Sequence, residues 1–293
     1  MKKILITGGT GFIGRRLQQL IDQTEYEVYA PSHMILDVTN TDDFKRLDGI
    51  GIDHVIHLAA KTFVPESWEM PDEYIRTNVV GTMRTLEFCK RNGCGLTYMS
   101  SYVYGIPDRL PVAESFELRP ANPYALSKIM SEDACRFYNA NMGVDITIFR
   151  PFNIYGYGQD SNFLLPTIVN QVLSNNDEIV VQTLMPKRDY IYIDDIINAI
   201  IMSIERNHGL QIYNLGTGIS YSVGEIIAIA QKIVRTEKKV FEKKEIRKNE
   251  IMDVTANISA INKLWGWRPA VTINEGLSQY INQLRIEESQ GWH

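Results

Sequence analysis

Thr7-Gly8-Gly9-Thr10-Gly11-Phe12-Ile13-Gly14 comes directly after the apolar run Ile4-Leu5-Ile6, and Ile13, Leu17, Leu20 and Ile21 then recur at the spacing of one helix face. The short β-branched run reads as a buried parallel strand, the spaced glycines as a tight turn, and the stretch from Phe12 to Ile21 as a helix. Gly8, Gly11 and Gly14 have no side chains, so backbone N–H groups at the helix start stand open to a ligand. With the positive end of the helix dipole behind them, they suit a pyrophosphate. The expectation is an α/β fold, a doubly wound parallel sheet of Rossmann type with a dinucleotide at this turn. A turn packed closely against a helix uses the same glycines for structural reasons alone, but the place directly after the first strand favours the binding reading.

The 293 residues are 44% hydrophobic and 22% charged, enough for a large core in one large or two intimately joined domains. A net charge of -5 leaves no electrostatic footprint for nucleic acid. No uninterrupted apolar stretch approaches the roughly 20 residues of a membrane helix. Met1-Lys2-Lys3-Ile4 runs straight into the first strand, which leaves no room for a signal peptide and points to a cytoplasmic protein. Cys89, Cys94 and Cys135 lack metal spacing and read as ordinary thiols, and His54 and His57 read as structural strand histidines. No metal is expected.

Glu27 to Ala30 (EVYA) reads as the second strand, ending in Pro31-Ser32-His33. In this fold the end of that strand faces the adenosine ribose, where an acidic residue selects NAD. None is present, so a 2′-phosphate meets no repulsion, and Ser32, His33 or Arg15 can contact it. That favours NADP(H) over NAD(H). Leu36-Asp37-Val38 reads as a third short apolar segment, with Asp37 placed to accept from an adenine amino group or to serve as a turn aspartate. Val55 to Ala60 (VIHLAA) is the fourth strand, and its small last residues let backbone approach a cofactor closely. Lys61 to Arg76 is expected to be an irregular loop over the site, and Asn78 to Cys89 a helix.

Leu96 to Ser100 is the fifth strand, and Ser100-Ser101-Tyr102-Val103-Tyr104-Gly105 comes next, where strand ends point into the cleft. Asn122-Pro123-Tyr124-Ala125-Leu126-Ser127-Lys128 starts a helix, with Pro123 suited to its first turn. Tyr124 and Lys128, four apart, share a face. An ammonium near a phenol stabilises the phenolate, so the tyrosine is expected to fall below its usual value of about 10. Tyr124 then acts as general acid/base, with a hydroxyl from Ser100 sharing the substrate oxygen. Standing alone, the pair reads as a surface i,i+4 contact.

TGGTGFIG, HLAA, NVVGT, SSYVYG and YALSK, in this order and at these intervals, resemble the extended short-chain dehydrogenase/reductases that act on nucleotide sugars. Arg150 to Gly156 (RPFNIYG), Arg188 to Asp195 (RDYIYIDD), Tyr213 to Gly218 (YNLGTG), Arg247 to Glu250 (RKNE) and Leu264 to Pro269 (LWGWRP) extend the likeness over nearly the whole chain. The resemblance implies Ser100, Tyr124 and Lys128 as the catalytic set, Ser100 being the serine three residues before Val103. It implies cofactor contacts from Gly8, Thr10, Gly11, Phe12, Ile13, Gly14, Ser32, Asp37, Val38, Leu58, Ala59, Ala60, Lys61, Asn78 and Phe152, together with Tyr124 and Lys128. On the substrate side it implies Ser101, Tyr102, Asn153, Arg188 and Arg247, the last three at the diphosphate. It also implies an NAD(P)-binding domain of residues 1–155 and 188–216, a substrate lobe of 156–187 and 217–293, and a homodimer packed through the helices beginning near Asn78 and Tyr124.

Sugar 4,6-dehydratases of this family place Asp and Glu directly after the catalytic hydroxyl. Here those positions are Ser101 and Tyr102, which tells against removal of water. Two reactions remain: reduction of a nucleotide-linked 4-keto-6-deoxyhexose at C4, and 4-epimerisation by oxidation and re-reduction with bound NAD. A reductase exchanges its cofactor each turnover, which fits the missing NAD-selecting acid. Ala59 to Trp68 (AAKTFVPESW) is also similar to GDP-4-keto-6-deoxymannose reductases. A dinucleotide-binding sensor has no need of Ser100, Tyr124 and Lys128 together. Ser222-Val223-Gly224-Glu225 is a capping box opening a helix to about Val234.

Overall fold

Ile4, Leu5 and Ile6 are fully buried in strand β1 (Lys2–Thr7), and successive side chains enter different apolar clusters. A strand covered on both faces requires this. The computed structural model describes residues 1–244 and 250–290. β1 lies between β2 (Tyr26–Tyr29) and β3 (His54–His57), followed by β4 (Gly95–Met99), β5 (Ile146–Pro151) and, at the far edge, β9 (Leu210–Leu215). Every pairing in this six-stranded sheet is parallel.

Helices α1 (Phe12–Leu20) and α8 (Ile193–Arg206) cover one face, burying Leu17, Ile196 and Ile200. α2 (Thr41–Lys45), α5 (Gly81–Asn92) and α6 (Pro123–Met142) cover the other with Phe44, Leu86 and Cys135. Chain order reverses between β1 and β3, and the crevice beyond the carboxyl ends of strands at such a switch point is where open α/β sheets hold ligands.

Two local expectations need correction. Leu36-Asp37-Val38 is no strand: Asp37 Oδ1 accepts from the backbone N–H and the hydroxyl of Thr39 at 2.9 and 2.8 Å, so the chain turns while Leu36 and Val38 stay buried. β9 supplies the sixth strand. Lys61 to Arg76 is largely helical, forming α3 (Val64–Glu69), α4 (Pro71–Tyr74) and a π-helical stretch Ile75–Val80 that runs into α5. Pro65 and Pro71 stand in first turns, where a missing N–H costs nothing.

Beyond the main sheet, β6 (Asn153–Tyr155), β8 (Lys187–Tyr192) and β10 (Ser220–Ser222) form a small sheet, and β7 (Glu178–Val181) pairs with β11 (Lys239–Glu242). Around them lie α7 (Leu164–Leu173), α9 (Val223–Val234), α10 (Ser259–Trp265) and α11 (Ile273–Gln290). α9 opens on the expected capping box: Ser222 Oγ accepts from the Glu225 N–H at 3.1 Å, and Glu225 accepts from the Ser222 N–H at 2.7 Å. Arg247 lies outside the described residues. No helix among the described residues is long and apolar enough to cross a membrane.

Candidate active site

The glycines after β1 divide into two kinds. Gly8 has φ +71°, and a Cβ there would stand 2.6 Å from Ala59 N; a Cβ on Gly14 would stand 2.4 Å from Gly8 O. Both are demanded by packing. At Gly11 the backbone is extended and an added Cβ would meet only Gly8 O, at 3.2 Å. Gly11 is the N-cap of the nine-residue α1 and offers no side chain to its first N–H groups. Uncapped N–H groups at the start of α1 fit a pyrophosphate. Thr7 Oγ1, 2.6 Å from His57 Nδ1 and accepting from Ala59 N–H at 3.3 Å, ties the ends of β1 and β3 together. Burial lowers His57 to about 3, so it stays neutral and structural.

Asn122 caps α6 by accepting from the Ala125 N–H at 2.8 Å, and Pro123 fills the first turn. This sets Tyr124 in the first turn of α6 and Lys128 one turn further along the same face. Lys128 is buried, donates to Met99 O at 2.8 Å, and lies 5.1 Å from the Tyr98 ring centre and 6.0 Å from that of Tyr124. Burial lowers it to about 8, against the pull of the Glu132 charge. Tyr124 is half-buried, and desolvation of its hydroxyl pushes the phenol up to about 12, eased by the hydroxyl of Ser101. The expected depression of the phenol by Lys128 is therefore absent: the ammonium is held by the Met99 carbonyl, and burial outweighs it.

The two serines after β4 differ. The Ser100 hydroxyl donates to Glu132 Oε1 at 2.7 Å, while Ser101 Oγ, also buried, makes no aligned hydrogen bond. Glu132, one turn beyond Lys128, is gripped by Arg150, with Nε to Oε1 at 2.9 Å and Nη2 to Oε2 at 2.5 Å, and by Arg136 at 2.9 Å. Burial alone would raise this carboxyl; the Arg150 contacts outweigh it and hold it below its ordinary value. Arg150 also donates to Tyr104 Oη at 2.9 Å, and Tyr104 donates to Asn214 Oδ1 at 2.6 Å.

Other expected site residues are partly spent on structure. Asn78, in the π-helical stretch, binds both backbone groups of Lys61 and donates to Ser127 Oγ at 2.8 Å, fixing the loop after β3 onto α6. Lys61 pairs with Glu66 at 3.4 Å. Val38 packs under Gly81, and Asp37 serves its turn with one carboxylate oxygen. Ser32 O accepts from Ile35 and Leu36 N–H in a turn whose surroundings include the exposed His33. Phe152 packs edge-on against Tyr102, whose hydroxyl donates to Gly105 O. Arg188 pairs with Glu250, its charge acts on Tyr102, and Asn153 donates to Asp189 O at 3.3 Å.

Residues 4–216 match the NAD dependent epimerase/dehydratase family. The chain belongs to that family. A putative UDP-glucose 4-epimerase of Methanocaldococcus jannaschii is 28% identical, covering 96% of this chain and 98% of its own. The GDP-6-deoxy-D-mannose reductase of Pseudomonas aeruginosa is 27% identical, covering 98% and 99%. The structure of RMD from Pseudomonas aeruginosa complexed with NADPH is similar with a TM-score of 0.90 and 26% identity, over 98% of this chain and all of that one. The resemblance read from TGGTGFIG to YALSK is borne out, as is the Rossmann-type sheet.

Within this epimerase/dehydratase chain, Glu132 and Arg150 are residues that sequence reasoning missed as a pair. A signal existed: Glu132 continues the four-residue spacing of Tyr124 and Lys128, so it shares their helix face. Its partner on β5 is set only by the tertiary fold.

Proposed function

We propose that the protein reduces a nucleotide-linked 4-keto-6-deoxyhexose at C4 with NADPH. The observation that carries this is the placement of Tyr124 and Lys128 on one face of α6, with Lys128 Nζ 6.0 Å from the Tyr124 ring centre, together with Ser100 directly after β4. A ketone gaining hydride needs a proton donor at its oxygen. The dinucleotide supplies the hydride. Tyr124 gives its proton to the C4 oxygen, the Ser100 hydroxyl hydrogen-bonds that oxygen, and Lys128 would hold the nicotinamide ribose. Ser101 and Tyr102 place no carboxylate beside the serine, so nothing there drives elimination. Arg188, Asn153 and Arg247 serve the substrate diphosphate, and an arginine fork matches it geometrically. The lack of an acid at Pro31-Ser32-His33 supports NADPH over NADH.

The 4-epimerase reading rests on the putative UDP-glucose 4-epimerase, which matches over almost the whole chain. One assay separates the two: absorbance of reduced nicotinamide with a panel of nucleotide-linked 4-keto-6-deoxy sugars. Stoichiometric loss of NADPH is expected, abolished by Tyr124→Phe. Interconversion of nucleotide sugars without net consumption refutes the reductase. The assembly we infer is a cytoplasmic homodimer. Exposed Met83 on α5 and Leu126, Met130 and Phe137 on α6 form its apolar face, and all three cysteines are buried and unpaired. A monomeric mass by sedimentation refutes the dimer.

A further inference from the structure

An ammonium carried into a protein interior needs partners that favour its charge. Lys128 is buried on α6 with one hydrogen bond, its Nζ donating to Met99 O at 2.8 Å. Among the described residues no carboxylate pairs with it: Glu132, one turn further along, is taken by Arg150 at 2.5 Å and Arg136 at 2.9 Å. What the ammonium meets instead is the ring of Tyr98, with Nζ over its face 5.1 Å from the centre. Tyr98 stands opposite His57 in the parallel register of β3 and β4, and the two rings stack at 5.9 Å and 29°. His57 is held in turn by Thr7 at 2.6 Å and Thr82 at 3.1 Å, which backs the Tyr98 ring with a fixed surface. The Tyr98 hydroxyl is buried and makes no aligned hydrogen bond, so the face of the ring is the part of this side chain that the site uses.

We propose that Tyr98 is a positioning residue of the active site: the face of its ring seats the Lys128 ammonium at the end of β4 and stabilises its charge. An aromatic face carries negative potential, and a cation over it away from water is held more strongly than one at a surface. This rests on the carbonyl-reduction reading, in which Lys128 works as a cation beside Tyr124, and deepens it. Burial takes the ammonium down to about 8, against Cys135 and Glu132 on the same helix. Arg150 on β5 is spent on Glu132, His57 on β3 stays neutral, and Tyr74 on α4 packs edge-on against Tyr124 with 6.3 Å between ring centres. So close to neutrality, a modest loss of support from Tyr98 removes the charge at working pH.

The test changes the electrostatics of the ring and keeps its shape. Tyr98→Phe retains an electron-rich face, whereas 3,4,5-trifluorophenylalanine incorporated at position 98 fills nearly the same space and loses most of that potential. The titration of Lys128 is read by NMR on protein carbon-labelled at the lysine Cε, its resonance identified by its loss in Lys128→Met. Tyr98→Phe is expected to keep the wild-type midpoint, and the trifluorinated ring to lower it by about one pH unit, the size of a desolvated cation–π contact. Turnover follows: relative to Tyr98→Phe, the trifluorinated protein is expected to lose about fivefold in kcat/KM at about pH 8 and little at about pH 6. A ring that only fills the core gives no such pH-dependent difference, because both rings fill it. Equal Lys128 midpoints in the two proteins, or an equal loss of activity at both pH values, overturn the proposal. Wild-type protein that reduces no nucleotide-linked 4-keto sugar counts against the reductase reading, and the Lys128 titration then still decides Tyr98.

Discussion

Substituting the glycines one at a time separates what the turn does for the fold from what it does for the cofactor. In Gly14→Ala the new Cβ stands 2.4 Å from Gly8 O and 2.7 Å from Gly9 Cα, both backbone atoms that cannot rotate away. Overpacking of this kind costs about 3 kcal/mol or more. In Gly11→Ala the backbone, at φ -78° and ψ 178°, suits any residue, and the one close contact is 3.2 Å. Losing glycine at an N-cap costs under about 1 kcal/mol. In the proposed phosphate cradle the methyl instead stands between a phosphate oxygen and the α1 N–H groups. Loss of one charge-assisted hydrogen bond, about 1.5–3 kcal/mol, weakens binding about ten- to a hundredfold. Thermal unfolding and fluorescence titration with NADPH read the two effects. Gly11→Ala is expected to lower Tm by about 2 °C and Gly14→Ala by about 6 °C or more, at some 2 °C per kcal/mol in a domain of this size. Binding by Gly11→Ala within threefold of wild type, at any Tm, refutes the turn as a phosphate cradle.

The buried charges set two further outcomes. Because Lys128 is lowered to about 8 and Tyr124 raised to about 12, reductive kcat/KM should be flat through neutrality and fall above about pH 8; a flat profile to pH 10 refutes the role of Lys128. The same shift has a stability sign. Folding holds Lys128 below its unfolded value of 10.5, so its charge is a cost fully present below pH 8 and relieved as pH rises toward 10.5. Lys128→Met should therefore gain more stability at pH 7 than at pH 10, by at most about 3 kcal/mol in urea unfolding, and an equal gain at both refutes the shift. Arg150→Met, which leaves buried Glu132 short of its main partner, should cost about 3–5 kcal/mol, and adding Glu132→Leu should recover most of it. A loss under 1 kcal/mol means the pair is not the anchor described.

What the sequence by itself determined is short-range. The glycine turn, the Asn122-Pro123 helix start and the Ser222–Glu225 capping box each rest on residues within four positions, where backbone geometry and local hydrogen bonds settle the outcome. The Tyr124–Lys128 face was legible for the same reason, and the order of motifs carried the family. Leu36-Asp37-Val38 misled because its apolar residues are buried, as a strand's are, while Asp37 bends the backbone through a side-chain bond that periodicity does not register. The tertiary structure alone decided the rest. β9, distant in sequence, closes the sheet against β5, and Glu132 on α6 meets Arg150 on β5. That meeting also holds the Ser100 hydroxyl on a buried carboxylate. The phenol and the ammonium take their values from burial among strands and helices far apart in the chain, because desolvation depends on everything that surrounds a group and not on its neighbours in sequence.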